Sequence, residues 1–326
     1  MTEKLPTIGV WGDLTDANNQ LDSPGSIAGR AIADAGCNIL TVKDGGDING
    51  AATAFTQSPY RAGKSIAIQE APAARRKVAK RAARGPSDGV EINLMISQAD
   101  SDGRSLDSTF LATADVIVVV AGGGETQARL ESVIGRGKPI IALLAKGQKI
   151  GAYGTKSLPS AVKIAKNSAK LRSELSSVIA PFTLVKPTFA RLRAVYKTDA
   201  SEVHDCSMSF PNTCAIRMSE ALAQVVSGIK DKFASSGSNV CPHKFMRGAQ
   251  DLAGLLRKGD VFGAYDQGFE APGSAPASIQ GKKGIVCYMN IPSYPDGQGH
   301  IDLWEDDHPV GSSYWTGNPI WFWQLN

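Results

Sequence analysis

Ala114-Asp-Val-Ile-Val-Val-Val-Ala-Gly-Gly-Gly124 decides the fold of the first half of the chain. An unbroken β-branched run that ends in three glycines reads as a strand buried on both faces of a parallel sheet. Apolar residues on both faces need helices on both sides, and the flanking sequence supplies them. Residues 125–136 carry a helical pattern, and residues 138–144 form a second buried strand. Upstream, residues 7–12 (Thr-Ile-Gly-Val-Trp-Gly) run as a strand into glycine. Residues 26–36 form an Ala-rich helix closed by Gly36, and residues 37–42 and 89–96 are further strands. Residues 1–150 therefore read as an open α/β domain.

Residues 151–184 follow as a Lys/Ser/Ala-rich helical linker. Val162, Ile164, Leu171, Leu175 and Ile179 recur at helical spacing, and the pattern stops at Pro181. Residues 185–326 reverse the order of elements. Helical patterns come first, at 189–196, 214–229 and 249–257, and short strands last, at 284–290, 300–304 and 320–325. Helices followed by strands indicate an α+β domain with a small antiparallel sheet. A second domain also suits the length, since 326 residues exceed one average domain.

Composition removes several classes of function. Lys and Arg number 35 against 31 Asp and Glu, a net charge of +4 spread along the chain, so no nucleic-acid or membrane surface is indicated. The basic helix at 71–84 lacks interleaved aromatic residues and reads as a solvated face. No apolar run approaches the roughly 20 residues needed to span a bilayer. The N-terminal residues lack a basic segment followed by an apolar stretch, so export through the general secretory route is not expected. The five cysteines (Cys37, Cys206, Cys214, Cys241, Cys287) follow no repeating spacing, which argues against a disulfide scaffold. His204-Asp-Cys206 and Cys241-Pro-His243 hold the ligand types of a zinc site at a spacing unlike a finger. The reading is surface histidines with small buried cysteines and no metal, and a Cys206–Cys241 disulfide stays open for a protein acting outside the cytosol.

Two stretches carry chemistry in the second half. In Asn212-Thr213-Cys214-Ala215-Ile216-Arg217-Met218, the spacing of Ala215, Met218, Leu222 and Val225 predicts an amphipathic helix capped by Asn212 or Thr213. Cys214 then sits in its first turn, where free N–H groups and the helix dipole favour thiolate. In Gly299-His300-Ile301-Asp302-Leu303-Trp304, a strand places His300, Asp302 and Trp304 on one face and turns Ile301 and Leu303 to the core. A cysteine at a helix start and a histidine on a following sheet is the papain-type arrangement for nucleophilic attack on a carbonyl. The Cys214 backbone N–H is the simplest oxyanion donor.

These blocks carry a resemblance. Phe210-Pro-Asn-Thr-Cys-Ala-Ile-Arg-Met-Ser-Glu-Ala-Leu222 with Gly299-His-Ile-Asp-Leu-Trp304 resembles the family-4 amidase effectors of bacterial type VI secretion systems, from about residue 186 onward. The resemblance implies an NlpC/P60-like papain fold. It also implies hydrolysis of the D-glutamate–meso-diaminopimelate bond of peptidoglycan stem peptides, without a cofactor. Cys214 would be the nucleophile and His300 the general base and acid. The family places an Asp beyond the Asp-Leu-Trp run, in a loop that often holds a cysteine pair; here that loop reads Glu305-Asp306-Asp307-His308-Pro309, without cysteines. Asp307 is the expected third residue and Asp306 the next choice; Asp302 competes, but two residues along a strand its side chain runs parallel to that of His300, and a loop carboxylate approaches the ring from a better angle. Asp302, Trp304 and Asn212 are expected to face substrate. The aromatic residues 321–323 are expected to fill the core. The resemblance also implies a cognate immunity protein and delivery by a type VI apparatus into a target cell's periplasm.

In the first half, Gly122-Gly123-Gly124-Glu125-Thr126 follows a buried strand and opens a helix, so its N–H groups are placed either to cradle an anion or to make a tight turn. The segment is similar to the Gly-Gly-x-Gly-Thr-x-x-Glu signature of the lysine-decarboxylase-like nucleotide-binding superfamily, with Glu125 where that pattern has Gly. A Rossmann-like domain holding a nucleotide-like ligand at Gly122, Gly123, Gly124 and Thr126 is the corresponding expectation. Two other functions compete with the amidase. One is a ligand sensor with a degenerate amidase module; the other is an intracellular papain-like acyl transferase or amidase.

Overall fold

A computed structural model describes residues 5–12, 23–42, 46–58, 61–70, 91–96, 106–198, 210, 212–237, 239–294 and 298–326. The basic segment 71–84 and the pair His204 and Cys206 lie outside the described residues. The chain divides into two compact units, residues 1–182 and 183–326.

The first unit runs β1 (Thr7–Trp11), α1 (Pro24–Asp34), β2 (Asn38–Val42), α2 (Gly46–Gln57), β3 (Ser65–Glu70), β4 (Ile92–Ile96), α3 (Leu106–Thr113), β5 (Val116–Val120), α4 (Gly124–Val133), β6 (Ile140–Leu143), β7 (Val162–Ala165) and α5 (Ser168–Ile179). The seven strands form one parallel sheet in the order β4-β3-β2-β1-β5-β6-β7. Strand order reverses between β1 and β5, the doubly wound, Rossmann-like arrangement. Period-two alternation builds two cores from the central strands. Ile8, Val10, Val116 and Val118 pack under α1, α2 and α5, whereas Trp11, Ile117 and Val119 pack under α3 and α4. Helix α1 starts as its sequence predicts, with Ser23 accepting from the Ser26 N–H and Pro24 at the first helical position.

The segment 151–184 corrects the linker reading. Its helical spacing is satisfied by α5 alone, whose Leu171, Leu175 and Ile179 are buried, while residues 162–165 add β7 beside β6. This segment is the closing strand and helix of the first unit, which ends at Phe182.

The second unit runs α6 (Phe189–Val195), α7 (Cys214–Val225), α8 (Ile229–Ser235), α9 (Ala249–Leu256), β8 (Gln267–Phe269), β9 (Lys282–Tyr288), β10 (His300–Asp306), β11 (His308–Pro309) and β12 (Ile320–Gln324). The helix expected over 214–229 is split in two, because Gly228 adopts φ +80° before α8 begins. The strands make an antiparallel sheet in the order β11-β10-β9-β12-β8. One face, with Cys287, Ile301, Leu303, Trp321 and Trp323, packs on the helices. The other face is buried too. Val286, Tyr288, Trp304, Ile320 and Phe322 form a smaller core against Trp315 and Tyr314. Residues 321–323 thus fill cores on both sides of the sheet.

Candidate active site

Apolar spacing makes α7 a helix, with Ala215, Met218 and Leu222 buried on one face, and this fixes Cys214 as its first residue. Thr213 is the N-cap but makes no side-chain cap bond. The Asn212 carboxamide instead donates to Gln298 Oε1 at 2.7 Å. The Cys214 N–H, at the first helical position, has no intrahelical acceptor. His300 opens β10, and its ring is in interaction range of both Cys214 and Asp302. The Nε2 to Asp302 Oδ2 distance is 3.4 Å, which leaves Nδ1 for the thiol.

The electrostatics favour an ion pair. Burial of Cys214 opposes ionisation. The hydrogen bond and charge of His300, with the N–H groups of Ile301 and Ala215, outweigh it and lower the thiol below its ordinary value. Burial of His300 disfavours its charge, yet Asp302 and Cys214 together raise the imidazole to about 9. A second buried thiol, Cys287, lies nearby. Burial first, and then the Cys214 charge, push it well above its usual value, so of these two thiols Cys214 is the one disposed to ionise.

Asp302, and not the expected Asp307, is the carboxylate beside His300. Asp302, fully buried, accepts hydrogen bonds from the N–H groups of Leu303 (2.8 Å), Gly311 and Ser312 (2.9 Å each) besides its contact with His300. Burial opposes its charge, but the hydrogen bond and charge of His300, and after them the Leu303 N–H, outweigh it and lower the carboxyl below its ordinary value. The β10–β11 turn sends the chain back along β10, with Pro309 opposite Trp304, and that return delivers the amides of residues 311 and 312. Asp306 and Asp307 form the turn itself. Six residues along a strand is about 20 Å, out of reach of His300. Asp307 bonds His308 at 2.7 Å on the exposed surface, and Asp306 pairs with Lys283 at 3.6 Å.

Two expected substrate contacts also move. Asp302 is wholly occupied by His300 and backbone. Trp304 is 1% exposed, donates from Nε1 to the Ile279 carbonyl and stands edge-on to Trp315, so it is core. Asn212 does line the cleft at Cys214, a cavity of about 460 Å³ that also presents Phe210, Arg247, Gln250 and Gln298. Sequence reasoning missed the aromatic shell of His300. Tyr288 stacks near its ring at 6.2 Å, and Tyr314 meets it edge-on at 5.1 Å while sharing a 2.6 Å hydroxyl contact with Tyr294. Tyr196 was missed as well. Its buried hydroxyl lies close enough to feel the Asp302 charge, but it forms no hydrogen bond of good geometry among the described residues. Spacing offered no signal for these residues, which come from four separate segments.

In the first unit, Gly122, Gly123, Gly124 and Thr126 sit at the carboxyl end of β5, beside the end of β1 and hence at the reversal of strand order. Gly123 is the N-cap of α4, and a Cβ on Gly124 would meet no atom within 4 Å. Thr126 is buried, and Glu125 is exposed and paired with Arg129 at 3.0 Å. Among the described residues, no group of three His, Cys, Asp or Glu is placed to hold a metal ion. Cys241 is a buried free thiol. No helix of the described residues is long and apolar enough to cross a membrane.

Fold and site define a two-unit chain: a parallel α/β unit, and an α+β unit with a buried Cys–His–Asp chain at the edge of a cleft. Residues 210–323 match the family described as type VI secretion system (T6SS), amidase effector protein 4, the family reached above from the blocks at 210–222 and 299–304. No curated protein matches the chain. Similar solved structures include the molybdenum cofactor carrier protein of Chlamydomonas reinhardtii, 22% identical, covering 54% of this chain and 99% of that one, with a TM-score of 0.40. They also include the type VI effector–immunity complex Tae4–Tai4 from Enterobacter cloacae, at 21% identity, 44% and 100% coverage and a TM-score of 0.35. Tae4 from Salmonella typhimurium, in complex with the Enterobacter cloacae immunity protein Tai4, follows at 17% identity, 43% and 100% coverage and a TM-score of 0.34.

Proposed function

We propose that the second unit is a cysteine amidase that hydrolyses the D-glutamyl–meso-diaminopimelate bond of peptidoglycan stem peptides, and that the chain acts as an antibacterial type VI effector. The observation that carries this reading is the Cys214–His300–Asp302 chain at a cleft within a segment matching an amidase effector family. The Cys214 thiolate attacks the γ-glutamyl carbonyl, and the Cys214 N–H stabilises the oxyanion. The His300 imidazolium gives its proton to the departing amine, leaving a thioester. His300, now neutral, takes a proton from water, hydroxide adds to the thioester, and the free acid leaves with the thiolate restored. Asp302 holds the ring orientation and the positive charge throughout. A small cognate inhibitor protein covers the cleft in the producing cell.

Incubation of the protein and a Cys214→Ala variant with diaminopimelate-type muropeptides, read by mass spectrometry, tests this. Cleavage at the glutamyl–diaminopimelate bond by the wild type alone is expected. Intact muropeptides in the presence of a Cys214 that still reacts with iodoacetamide would instead favour acyl transfer on another amide.

A second reading concerns the first unit. The position of Gly122–Gly124 at the strand-order reversal, with open space above Gly124, favours an anionic, nucleotide-like ligand there. A rise in the melting temperature of this unit with added nucleotide is expected; its absence across mono-, di- and triphosphates counts against the ligand.

A further inference from the structure

The cleft beside Cys214 holds a guanidinium that the proton chemistry leaves idle. Arg247 lies just before the N-cap of α9, with its N–H donated to the Asn239 carbonyl at 2.9 Å. Its guanidinium carbon stands 3.7 Å from the centre of the Phe210 ring, a cation–π contact that holds the group over the ring. Among the described residues, its buried Nε makes no hydrogen bond and the group has no ion pair. Asp251 lines the same cleft but forms no ion pair with Arg247. The Asp251 carboxylate lies over Gly248 in the first turn of α9, where a Cβ on Gly248 would overlap its Oδ2, and the helix N-terminus favours it. The other polar liners, Asn212, Asn239, Gln250 and Gln298, are neutral carboxamides.

A planar guanidinium held over an aromatic ring in the cleft, without an ion pair among the described residues, matches a carboxylate, which it grips at two points. We propose that Arg247 is the specificity-determining anchor for a free carboxylate of the substrate, held beside the scissile amide. The proposal rests on the amidase reading above and sharpens it. A γ-glutamyl–diaminopimelate unit offers such a group on either side of the bond: the glutamyl α-carboxylate on the acyl side, or a diaminopimelate carboxylate on the leaving side.

The test compares kcat/KM for tripeptide stems with all carboxylates free, with the glutamyl α-carboxyl amidated, or with the diaminopimelate carboxyls amidated. The wild type is expected to prefer the free acid over one amidated form by about 10- to 100-fold, the range of a hydrogen bond to a charged group. The amidated form that suffers identifies the carboxylate. In Arg247→Gln the two efficiencies converge to within about threefold, and Arg247→Lys, which keeps the charge without the fork, falls between. Because each ratio is taken within one preparation, a partly unfolded variant does not disturb it. A Gln variant that keeps the wild-type ratio, or a wild type indifferent to both amidations, overturns the anchor. Binding of the same peptides to Cys214→Ala separates the two claims. Discrimination by this variant that Arg247→Gln abolishes, with no cleavage by the wild type, would leave the anchor standing and remove the amidase.

Discussion

The Asn212 carboxamide donates to Gln298 Oε1 at 2.7 Å, and each residue stands two positions before its partner in the candidate chemistry, Cys214 and His300. The bond fastens the approach to α7 to the approach to β10, so the separation of thiol and imidazole depends on an amide pair at the surface of the cleft. Asn212→Ala and Gln298→Ala are each expected to lower kcat/KM by about 3- to 10-fold, the scale of one net neutral hydrogen bond. The double variant should be no worse than the poorer single one. Additive losses in a double-mutant cycle would show that the two side chains act separately.

Asp302 and Asp307 separate the geometry from the expectation read from sequence. Asp302→Asn keeps the shape but removes the negative charge beside His300 and offers an amide where three backbone N–H groups and a ring seek an acceptor. A loss of roughly 100-fold or more in kcat is expected, the usual scale of general acid–base assistance. Asp307→Asn sits on the exposed turn and should stay close to wild type. The reverse ranking in steady-state kinetics would return the role to the turn.

The thiolate–imidazolium pair sets a pH window. It exists above the lowered value of Cys214 and below that of His300, which is about 9. A bell-shaped kcat/KM profile is expected, its alkaline limb near pH 9 and its acid limb below the ordinary thiol range. Stability follows the same groups. His300 binds its proton more tightly folded than unfolded, so its contribution is fully present below about pH 6.5 and is lost as pH rises through about 9. Urea melts of wild type and His300→Ala should accordingly differ more at pH 6 than at pH 10. At neutral pH, iodoacetamide should label Cys214 before Cys287, whose ionisation is suppressed.

Periodicity made the α/β unit, the start of α7 and the strand at His300 legible, because burial on one or two faces writes itself into the sequence at intervals of 2 and 3.6 residues. The same signal misread residues 151–184. Only four residues form β7, too few to alternate visibly beside a helix of twelve. Side chains two apart on a strand run parallel, which on sequence alone ranks Asp302 behind the loop carboxylates as partner of His300. The rejected geometry is the one adopted, with a 3.4 Å contact sustained by amides that arrive from residues 311 and 312. Those amides depend on the turn after β10, and a hairpin return leaves no pattern within the strand it returns to. The expectation that Trp304 faces substrate supposes an open face of the sheet, but both faces are covered.

Gly29 and Gly124 give a stability test of the first unit. Helices α1 and α2 pack so closely that a Cβ on Gly29 would overlap the carbonyl oxygen of Ala51. The obstacle is backbone, which cannot rotate aside, so the two helices must part and the sheet face beneath them loosens. Gly29→Ala is expected to cost about 1–3 kcal/mol, lowering the melting temperature by roughly 2–4 °C for each kcal/mol at this size. Gly124 is the opposite case. It is the first residue of α4 and open space surrounds it, so Gly124→Ala should hold or slightly raise the melting temperature by restricting the unfolded chain. Calorimetry on the full chain resolves both, since substitutions in residues 1–182 should shift the transition of that unit. A Gly29→Ala variant as stable as wild type would mean that α1 and α2 sit further apart than described.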